Sequence, residues 1–569
     1  MRILLLSHSF NSLTQRLYVE LVERGHEVSV EFDINDTVTI EATELFQPDL
    51  IIAPFLKRAI PDRVWQENIC LIVHPGPPGD RGPASLDWAI LDGRQDWGVT
   101  VLQATDELDG GPVWAYRRFP LRNATKSSLY RNEVTEAAVS AIREVVDRFE
   151  RNEKLPPRHE ELDTVPAQWR GPVRQLDREI NWQTDSTKTV LRKIASADGT
   201  PGIRDRICGR DVYLHNASKA DLPAGRAVAG QPIARSETSV ALATRDGAIW
   251  IGHVRSAGVA GAIKLPAARV LADVLDHLPL AAGPADISFE EADRVGFLRF
   301  PFLNGAMGVE ACSRLKTAFD AALNRQTRVI VLMGGPDFWS NGLDLNEIEA
   351  ANTAADQSWQ NINAIDDLSE SIVRATGRLV IAALCGNAGA GGVFLARAAD
   401  EVWARRGVIL NPHYKDMGNL YGSELWTYLL PKFAGEASVQ SIMQSRLPMG
   451  VTEANRLGLV NRIIESTRSD FDAEVALKAR QLAMDPHFEE RLTAKARQRE
   501  TDEATKPLRT YREEELSRMR RNFFGFDPSY HIARYNFVHK VPKSRTPLTI
   551  AHHRDKRRSA AANTKEAAE

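Results

Sequence analysis

Two stretches of this chain alternate short apolar runs with amphipathic segments, and a block of different rhythm separates them. In the first, Ile3 to Leu6 precedes the helical pattern Leu13 to Arg24, then Gly25 as a stop, then His26 to Phe32 and later Leu50 to Ala53. That alternation predicts an α/β unit with a mostly parallel sheet. From about 152 the chain turns proline-rich at Leu155-Pro156-Pro157. Between 206 and 275, short strand-like runs (Val212 to Leu214, Val240 to Ala243, Ala248 to Ile251) are separated by Gly, Pro and Asp turns, which predicts a small β domain. Leu278-Pro279 to Asp286 reads as a linker. Beyond it, Val295 to Phe300, the amphipathic Val309 to Leu323, Val329 to Met333 and Leu379 to Leu384 open a second, independent α/β domain. From about 470 helix formers and charges dominate. From 541 prolines, clustered basic residues and Ala561-Ala562-Asn563-Thr564 predict a disordered tail. The two halves share no internal repeat.

The 569 residues accommodate three or four domains at roughly 150 residues each, and a 43% hydrophobic content supplies a core for each. The charges sum to 72 − 75 = −3, so no global basic field draws the chain to nucleic acid or an anionic membrane, and neither is expected as a partner. Cysteines 70, 208, 312 and 385 are scattered without a C-x-x-C pair. This argues against a disulfide framework or a zinc knuckle and fits a reducing, cytoplasmic compartment with no metal. The apolar run in Met1 to Leu6 is too short for a signal peptide, and no 18-residue apolar stretch occurs.

Two segments carry chemistry in the first domain. Ile72-Val73-His74-Pro75-Gly76-Pro77-Pro78-Gly79-Asp80-Arg81-Gly82 follows an apolar strand and is too rich in Gly and Pro to continue it. His74 therefore sits at a strand's C-terminal end, where open α/β sheets place their ligands. Downstream, the strand Gly98 to Leu102 leads into Thr105-Asp106-Glu107-Leu108-Asp109-Gly110-Gly111-Pro112. A carboxylate on one imidazole nitrogen fixes the tautomer and raises the basicity of the other, as a general base in acyl transfer needs. From spacing alone, a single His after a strand is more often structural.

The order of these motifs resembles the folate-dependent formyltransferases and formyltetrahydrofolate hydrolases. The resemblance implies that His74 and Asp109 are the family's catalytic His and Asp. It also implies that Phe55-Leu56-Lys57 borders the folate pterin, with Ile72, Asp106 and Leu108 lining the same site. Arg178-Glu179-Ile180-Asn181-Trp182 with Pro201-Gly202 resembles the start of the family's C-terminal β-barrel domain. Ile72 stands where the family has an Asn that donates to the formyl oxygen, and loss of such a donor costs a few kcal/mol of transition-state stabilisation.

In the second half, Asp337 to Leu345 follows the strand Val329 to Met333, and Ala383 to Gly392 follows the strand Leu379 to Leu384. Gly-rich turns at helix starts expose backbone N–H groups, and two facing each other would hold a thioester oxygen. On the glycines alone, a tight turn is an equal reading. Order and spacing resemble the crotonase (enoyl-CoA hydratase/isomerase) superfamily, which binds acyl-CoA thioesters. Phe302 to Met307, Met449 to Ala454 and Leu457 to Val460 add to the match. The resemblance puts Leu343 and Gly391 at the oxyanion-hole positions and Ser340, Gly342, Asp344 and Asn387 in the coenzyme A site. The hydratase glutamates are replaced by Phe394 and Tyr414, which disfavours water addition. Tyr414 as proton donor and Glu424 as base remain, each with a bland alternative: packing for Tyr414, an exposed helix-start carboxylate for Glu424.

The expected fold class is therefore α/β. A Rossmann-like formyltransferase domain (1–165) precedes a small OB-like β-barrel domain (166–275), a linker (276–286), a crotonase-like domain with helical tail (287–540) and a disordered tail (541–569). The fusion resembles the HypX/HoxX-type maturation proteins of [NiFe] hydrogenases, which supply the carbon monoxide ligand of the active-site iron. It implies small-molecule substrates, N10-formyl-tetrahydrofolate and coenzyme A, with formyl-CoA as the shared intermediate, and hydrogenase maturation proteins as recipients of CO. Two alternatives stay open: hydrolysis of formyl-CoA to formate, and a non-catalytic folate and CoA carrier.

Overall fold

Strands such as Leu50–Phe55 (LIIAPF) are apolar along nearly their whole length, as strands covered on both faces must be. The computed structural model, which describes residues 1–156, 168–223 and 227–555, places this strand in a six-stranded sheet. The order is Glu27–Phe32, Arg2–Ser7, Leu50–Phe55, Cys70–His74, Asp96–Gln103, Val113–Pro120. The first four strands pair in parallel and the last two antiparallel. The helix Ser12–Glu23 starts where the Asn11 side chain accepts from the Thr14 N–H and gives way to Gly25 at φ 83°. The chain divides into two compact units, one of Met1–Pro284 with the segment from Lys543 on, the other Ala285–Pro542.

The expected β domain is a six-stranded antiparallel sheet whose main path runs Pro232–Arg235, Val240–Thr244, Gly247–Ser256, Arg210–Ala220, Ile203–Ile207. Helix Thr187–Ser196 lays Val190 and Ile194 against Leu214, Ile249 and Ile251. The boundary expected at 165–166 lies outside the described residues.

The second unit is built on the sheet Ser288–Ala292, Val295–Phe300, Val329–Gly334, Leu379–Leu384, Glu401–Arg405, Arg462–Ile464, parallel except for its first pair. Helices Val309–Leu323 and Ala354–Arg374 cover one face and Phe471–Ala483 the other. A smaller sheet (Phe338–Ser340, Asn387–Gly389, Ile409–Asn411, Met449–Gly450) takes up the chain just beyond two of these strands, which brings the two Gly-rich segments together. Helices Phe488–Thr505, Leu508–Phe524 and Ser529–Val538 complete it.

The disordered tail expected from 541 is corrected for residues 543–555, which dock on the first unit. Strand Glu27–Phe32 is the edge of its sheet, and its orphan groups are met by the returning chain. The Val30 N–H donates to the Ile550 carbonyl (2.8 Å) and the Phe32 N–H to Thr546 Oγ1 (2.9 Å). Glu31, fully buried, meets His553 Nε2 at 2.9 Å and the Arg554 guanidinium at 2.7 Å. Burial pushes the Glu31 carboxyl up, but hydrogen bonds from His553, Thr546 and Arg554 outweigh it and hold the group below the usual carboxylate range. A charged residue facing inward on an edge strand dictates this dock. Residues 556–569, including Ala561-Ala562-Asn563-Thr564, lie outside the described residues. The double variant H553A/R554A leaves the Glu31 charge buried and unpaired, and is expected to cost the protein about 3–5 kcal/mol in urea unfolding at pH 7. A loss under about 1 kcal/mol would contradict this, as expected only for an exposed pair.

Candidate active sites

In the first unit, His74 ends the strand Cys70–His74 and is buried. Its Nδ1 lies 3.6 Å from Asp109 Oδ1, so the expected pair is brought together just beyond hydrogen-bond length. Its Nε2 lies 2.9 Å from Asp80 Oδ2, a partner the sequence reading passed over. Asp80 is equally buried. Both ring nitrogens thus face carboxylates. Gly76 is required for this contact, since a Cβ there would stand 2.4 Å from Asp80 Oδ2 and 2.5 Å from His74 Nε2. The loop is pinned by Trp97 Nε1 and Ser85 Oγ, both donating to the Pro75 carbonyl at 2.8 Å, and by Thr100 Oγ1 donating to that of Gly76 at 2.7 Å. Asp109, at φ 53°, accepts from the Gly82 N–H through Oδ2 at 3.0 Å. The signal for Asp80 was its place in the same loop, six residues after His74.

Ile72 and Leu56 pack against one apolar cluster with Ile51 and Ala53, so the position of the family Asn offers no donor. Phe55 and Leu56 are half-buried, while Lys57, Asp106 and Leu108 are exposed. The Lys57 N–H donates to Asp33 Oδ2 at 3.0 Å, and Asp33 Oδ1 lies 2.7 Å from His8 Nδ1. Glu107 pairs with Arg81.

In the second unit, Gly342–Leu343 and the start of helix Gly391–Arg397 adjoin: a Cβ built on Gly342 would lie 3.5 Å from the Gly391 nitrogen. A Cβ on Gly391 would lie 2.0 Å from Glu424 Oε1. The Glu424 carboxyl therefore occupies the space beside the expected oxyanion pair, and only Gly leaves room for it. Tyr414 OH donates to Glu424 Oε2 at 2.6 Å and to the Ser423 carbonyl at 3.0 Å, while the Ser423 N–H donates to the same Oε2 at 3.2 Å. The Tyr414 ring stacks on Phe394 with centroids 5.6 Å apart and planes 13° from parallel. Phe394 thus supports the tyrosine that stands beside it.

Three of the residues assigned to coenzyme A hold the protein's own loops. Ser340 is fully buried, its Oγ accepting from the Gly342 N–H at 3.1 Å. The Asp344 carboxylate accepts from the N–H groups of Asn346 and Glu347 and so caps helix Leu345–Glu349. Asn387 Oδ1 accepts from the Ile409 N–H at 2.9 Å.

Glu424 and Leu425 both adopt left-handed backbone (φ 60° and 61°), each costing a non-glycine residue of order 1–3 kcal/mol. Two carboxylates that sequence reasoning missed meet this turn. Asp366 accepts from the Glu424 N–H (2.8 Å) and Ser423 Oγ (2.7 Å), and Glu515 from the N–H groups of Leu425 (3.0 Å) and Thr427 (2.8 Å). Their signal was present: Asp366 falls on the apolar stripe of its helix with Ile362, Ile365 and Ile372, and Glu515 on that of Met519 and Phe523. Asp366, Glu424 and Glu515 are at most 1% exposed, and the nearest guanidinium nitrogen, Arg512 Nε, is 3.9 Å from Asp366. Burial, with the Asp366 charge second, pushes the Glu424 carboxyl up to about 8. Burial raises Asp366 to about 6 and Glu515 well above the carboxylate range. The Tyr414 hydroxyl is raised well above the phenol range by burial and by Glu424.

Comparison with known proteins agrees with the domains carrying the two sites. Residues 26–146 match the formyl transferase family model, 172–261 the formyl transferase C-terminal domain, and 298–523 enoyl-CoA hydratase/isomerase. The chain is 58% identical over 559 residues, 98% of either protein, to hydrogenase maturation factor HoxX of Bradyrhizobium diazoefficiens. The chain belongs to the HypX/HoxX family of hydrogenase maturation factors. HypX from Aquifex aeolicus, solved in complex with tetrahydrofolic acid, superposes with a TM-score of 0.93 at 46% identity, covering 97% of this chain and 99% of that one. The methionyl-tRNA formyltransferase of Syntrophomonas wolfei is 24% identical over 229 residues, 40% of this chain and 72% of that protein. The fold class and the hydrogenase-maturation family read from the motifs are those found here: formyltransferase N- and C-terminal domains joined to a crotonase-like domain. No helix among the described residues is long and apolar enough to cross a membrane.

Proposed function

We propose that this HypX/HoxX-family member makes carbon monoxide for the iron of a [NiFe] hydrogenase in two steps, formyl transfer to coenzyme A and breakdown of formyl-CoA. In the first, the coenzyme A thiol attacks the formyl carbon of N10-formyl-tetrahydrofolate. His74 takes the thiol proton and returns it to the departing folate nitrogen, so the imidazole ends as it began. Asp80 and Asp109, facing its two nitrogens, steady the imidazolium between those transfers. With Ile72 in place of the family Asn, no side-chain donor from that strand position meets the formyl oxygen, and the cationic imidazole carries more of the developing charge.

In the second step formyl-CoA is split into CO and coenzyme A. The Leu343 and Gly391 N–H groups receive the carbonyl oxygen. Glu424 Oε1 takes the formyl proton, the C–S bond breaks, and Tyr414 OH protonates the leaving sulfur. Tyr414 then recovers the proton from Glu424 across their 2.6 Å contact. The formyl hydrogen balances the thiol hydrogen, and no oxidant or water is consumed. The observation that carries this reading is the division of labour on one carboxyl: Oε2 accepts from Tyr414 while Oε1 stands against Gly391, with no donor from a described residue on it. Glu424 and Tyr414 are both buried, and a formyl thioester enclosed with them is kept from bulk water.

Synthetic formyl-CoA given to the pure protein tests the second step. The expected result is CO, trapped on a reduced haem protein, in equal amount to free coenzyme A. Formate in its place would overturn it.

A further inference from the structure

Three fully buried carboxylates at one turn is an arrangement that folding alone disfavours, because each charge must be desolvated. The mechanism above uses only one of them. The other two reach the turn from separate helices, Asp366 from Ala354–Arg374 and Glu515 from Leu508–Phe524. Between them they accept the consecutive N–H groups of Glu424 and Leu425, that of Thr427, and the hydroxyls of Ser423 and Thr427. Leu425 opens helix Trp426–Ala434 with no side-chain cap of its own, so Glu515 serves as a cap supplied from elsewhere in the chain. We propose that Asp366 and Glu515 are positioning residues for Glu424: they hold its left-handed turn in the one conformation that sets its carboxyl between Gly391 and Tyr414.

The inference rests on Glu424 being the proton-transfer group of the second step. Asp366 also places negative charge beside Glu424, and the other titratable or charged groups around the turn are Glu515, Tyr414 on its loop, Cys312 from helix Val309–Leu323, and Arg512 beside Asp366. Positioning and charge are therefore separable by substitution. In Asp366→Asn the amide oxygen still accepts from the Glu424 N–H, and Ser423 Oγ rotates to accept from the amide, so the turn is kept and the charge removed. In Asp366→Ala both are lost.

The experiment uses the full-length protein with formyl-CoA as substrate, measures kcat and KM for CO release across pH 6 to 10, and follows the Glu424 carboxyl by infrared titration, assigned by its loss in Glu424→Gln. The wild-type midpoint is expected at about 8. Asp366→Asn is expected to keep kcat within about 3-fold while both midpoints fall by about one unit, as removal of a nearby like charge requires. Glu515→Gln, which keeps only one acceptor oxygen for the Leu425 and Thr427 N–H groups, is expected to lower kcat by about 3- to 10-fold with KM within about 2-fold. Asp366→Ala is expected to lose about 30-fold or more in kcat with KM within about 2-fold, since only the geometry of the reacting group is disturbed. Full kcat in a folded Asp366→Ala, or a loss in Asp366→Asn as large as in Asp366→Ala, would overturn the proposal. Should Asp366→Ala not fold, Asp366→Asn and Glu515→Gln decide. Should the wild type release no CO, the two-step reading fails, and the positioning role is judged by the Glu424 carboxyl stretch, which its contact with Tyr414 sets: it is expected to move in Asp366→Ala and to stay in Asp366→Asn.

Discussion

Glu424→Gln is expected to stop carbon monoxide release while formyl-CoA formation continues, so that formyl-CoA accumulates when formyl-folate and coenzyme A are supplied. Gln keeps the shape and accepts from Tyr414 but takes no proton, and loss of a positioned general base lowers a rate by about 10²–10⁴. In the wild type the step needs the anion, which is roughly a tenth of the protein at pH 7 for a group titrating near 8. Release should therefore rise with pH through that value. The same group gives a stability signature of defined sign. Its folded value lies above the usual 4.5, so its contribution to stability is full below about pH 4.5 and declines as pH rises towards 8. Glu424→Gln lacks that decline and should be more stable than the wild type at pH 8 and above, by several kcal/mol at most. A variant as active as the wild type, or less stable at pH 9, would contradict the assignment.

His74→Ala is expected to remove the other half of the sequence of reactions. Formyl transfer from N10-formyl-tetrahydrofolate should fall by about 10²–10⁴, whereas CO release from added formyl-CoA should stay at the wild-type level because His74 belongs to the other unit. Asp80→Asn tests the residue that sequence reasoning passed over. Its 2.9 Å contact to Nε2 fixes the orientation of the ring, so the variant should transfer formyl about 10-fold or more slowly, as misplacement of a positioned proton-transfer group dictates. Both variants are read in one assay, by tetrahydrofolate release, because the second step returns the coenzyme A that the first takes up. Equal loss of both steps in His74→Ala would mean that it damages the fold.

What was legible in the sequence, and what was not, divides along physical lines. Strands with apolar residues at every position, the Gly25 stop and the Gly-rich turns announce themselves through local chemistry, and the family followed from motifs in order. His74 with Asp109, and Tyr414 with Glu424, could be named for the same reason and are each brought together. Ser340, Asp344 and Asn387 stand in the right loops, but their polar groups satisfy backbone donors, two or three residues on for Ser340 and Asp344 and on a neighbouring strand for Asn387. Asp366 and Glu515 lie 58 and 91 residues from Glu424 in the chain, and only folding reveals that an acid on an apolar stripe is there to meet backbone N–H groups. The docked segment 543–555 was masked by its composition: basic, proline-containing sequence reads as solvated tail until the buried Glu31 it neutralises is seen.

The central claim, that the formyl carbon leaves as carbon monoxide, is tested most directly by incubating the pure protein with ¹³C-formyl-tetrahydrofolate and coenzyme A, with reduced haem protein to capture gas and a parallel assay for formate. The account predicts labelled CO that requires coenzyme A and disappears in Tyr414→Phe and Glu424→Gln. Labelled formate without CO would contradict it and make the second site a thioester hydrolase. Neither product would leave a folate and coenzyme A carrier.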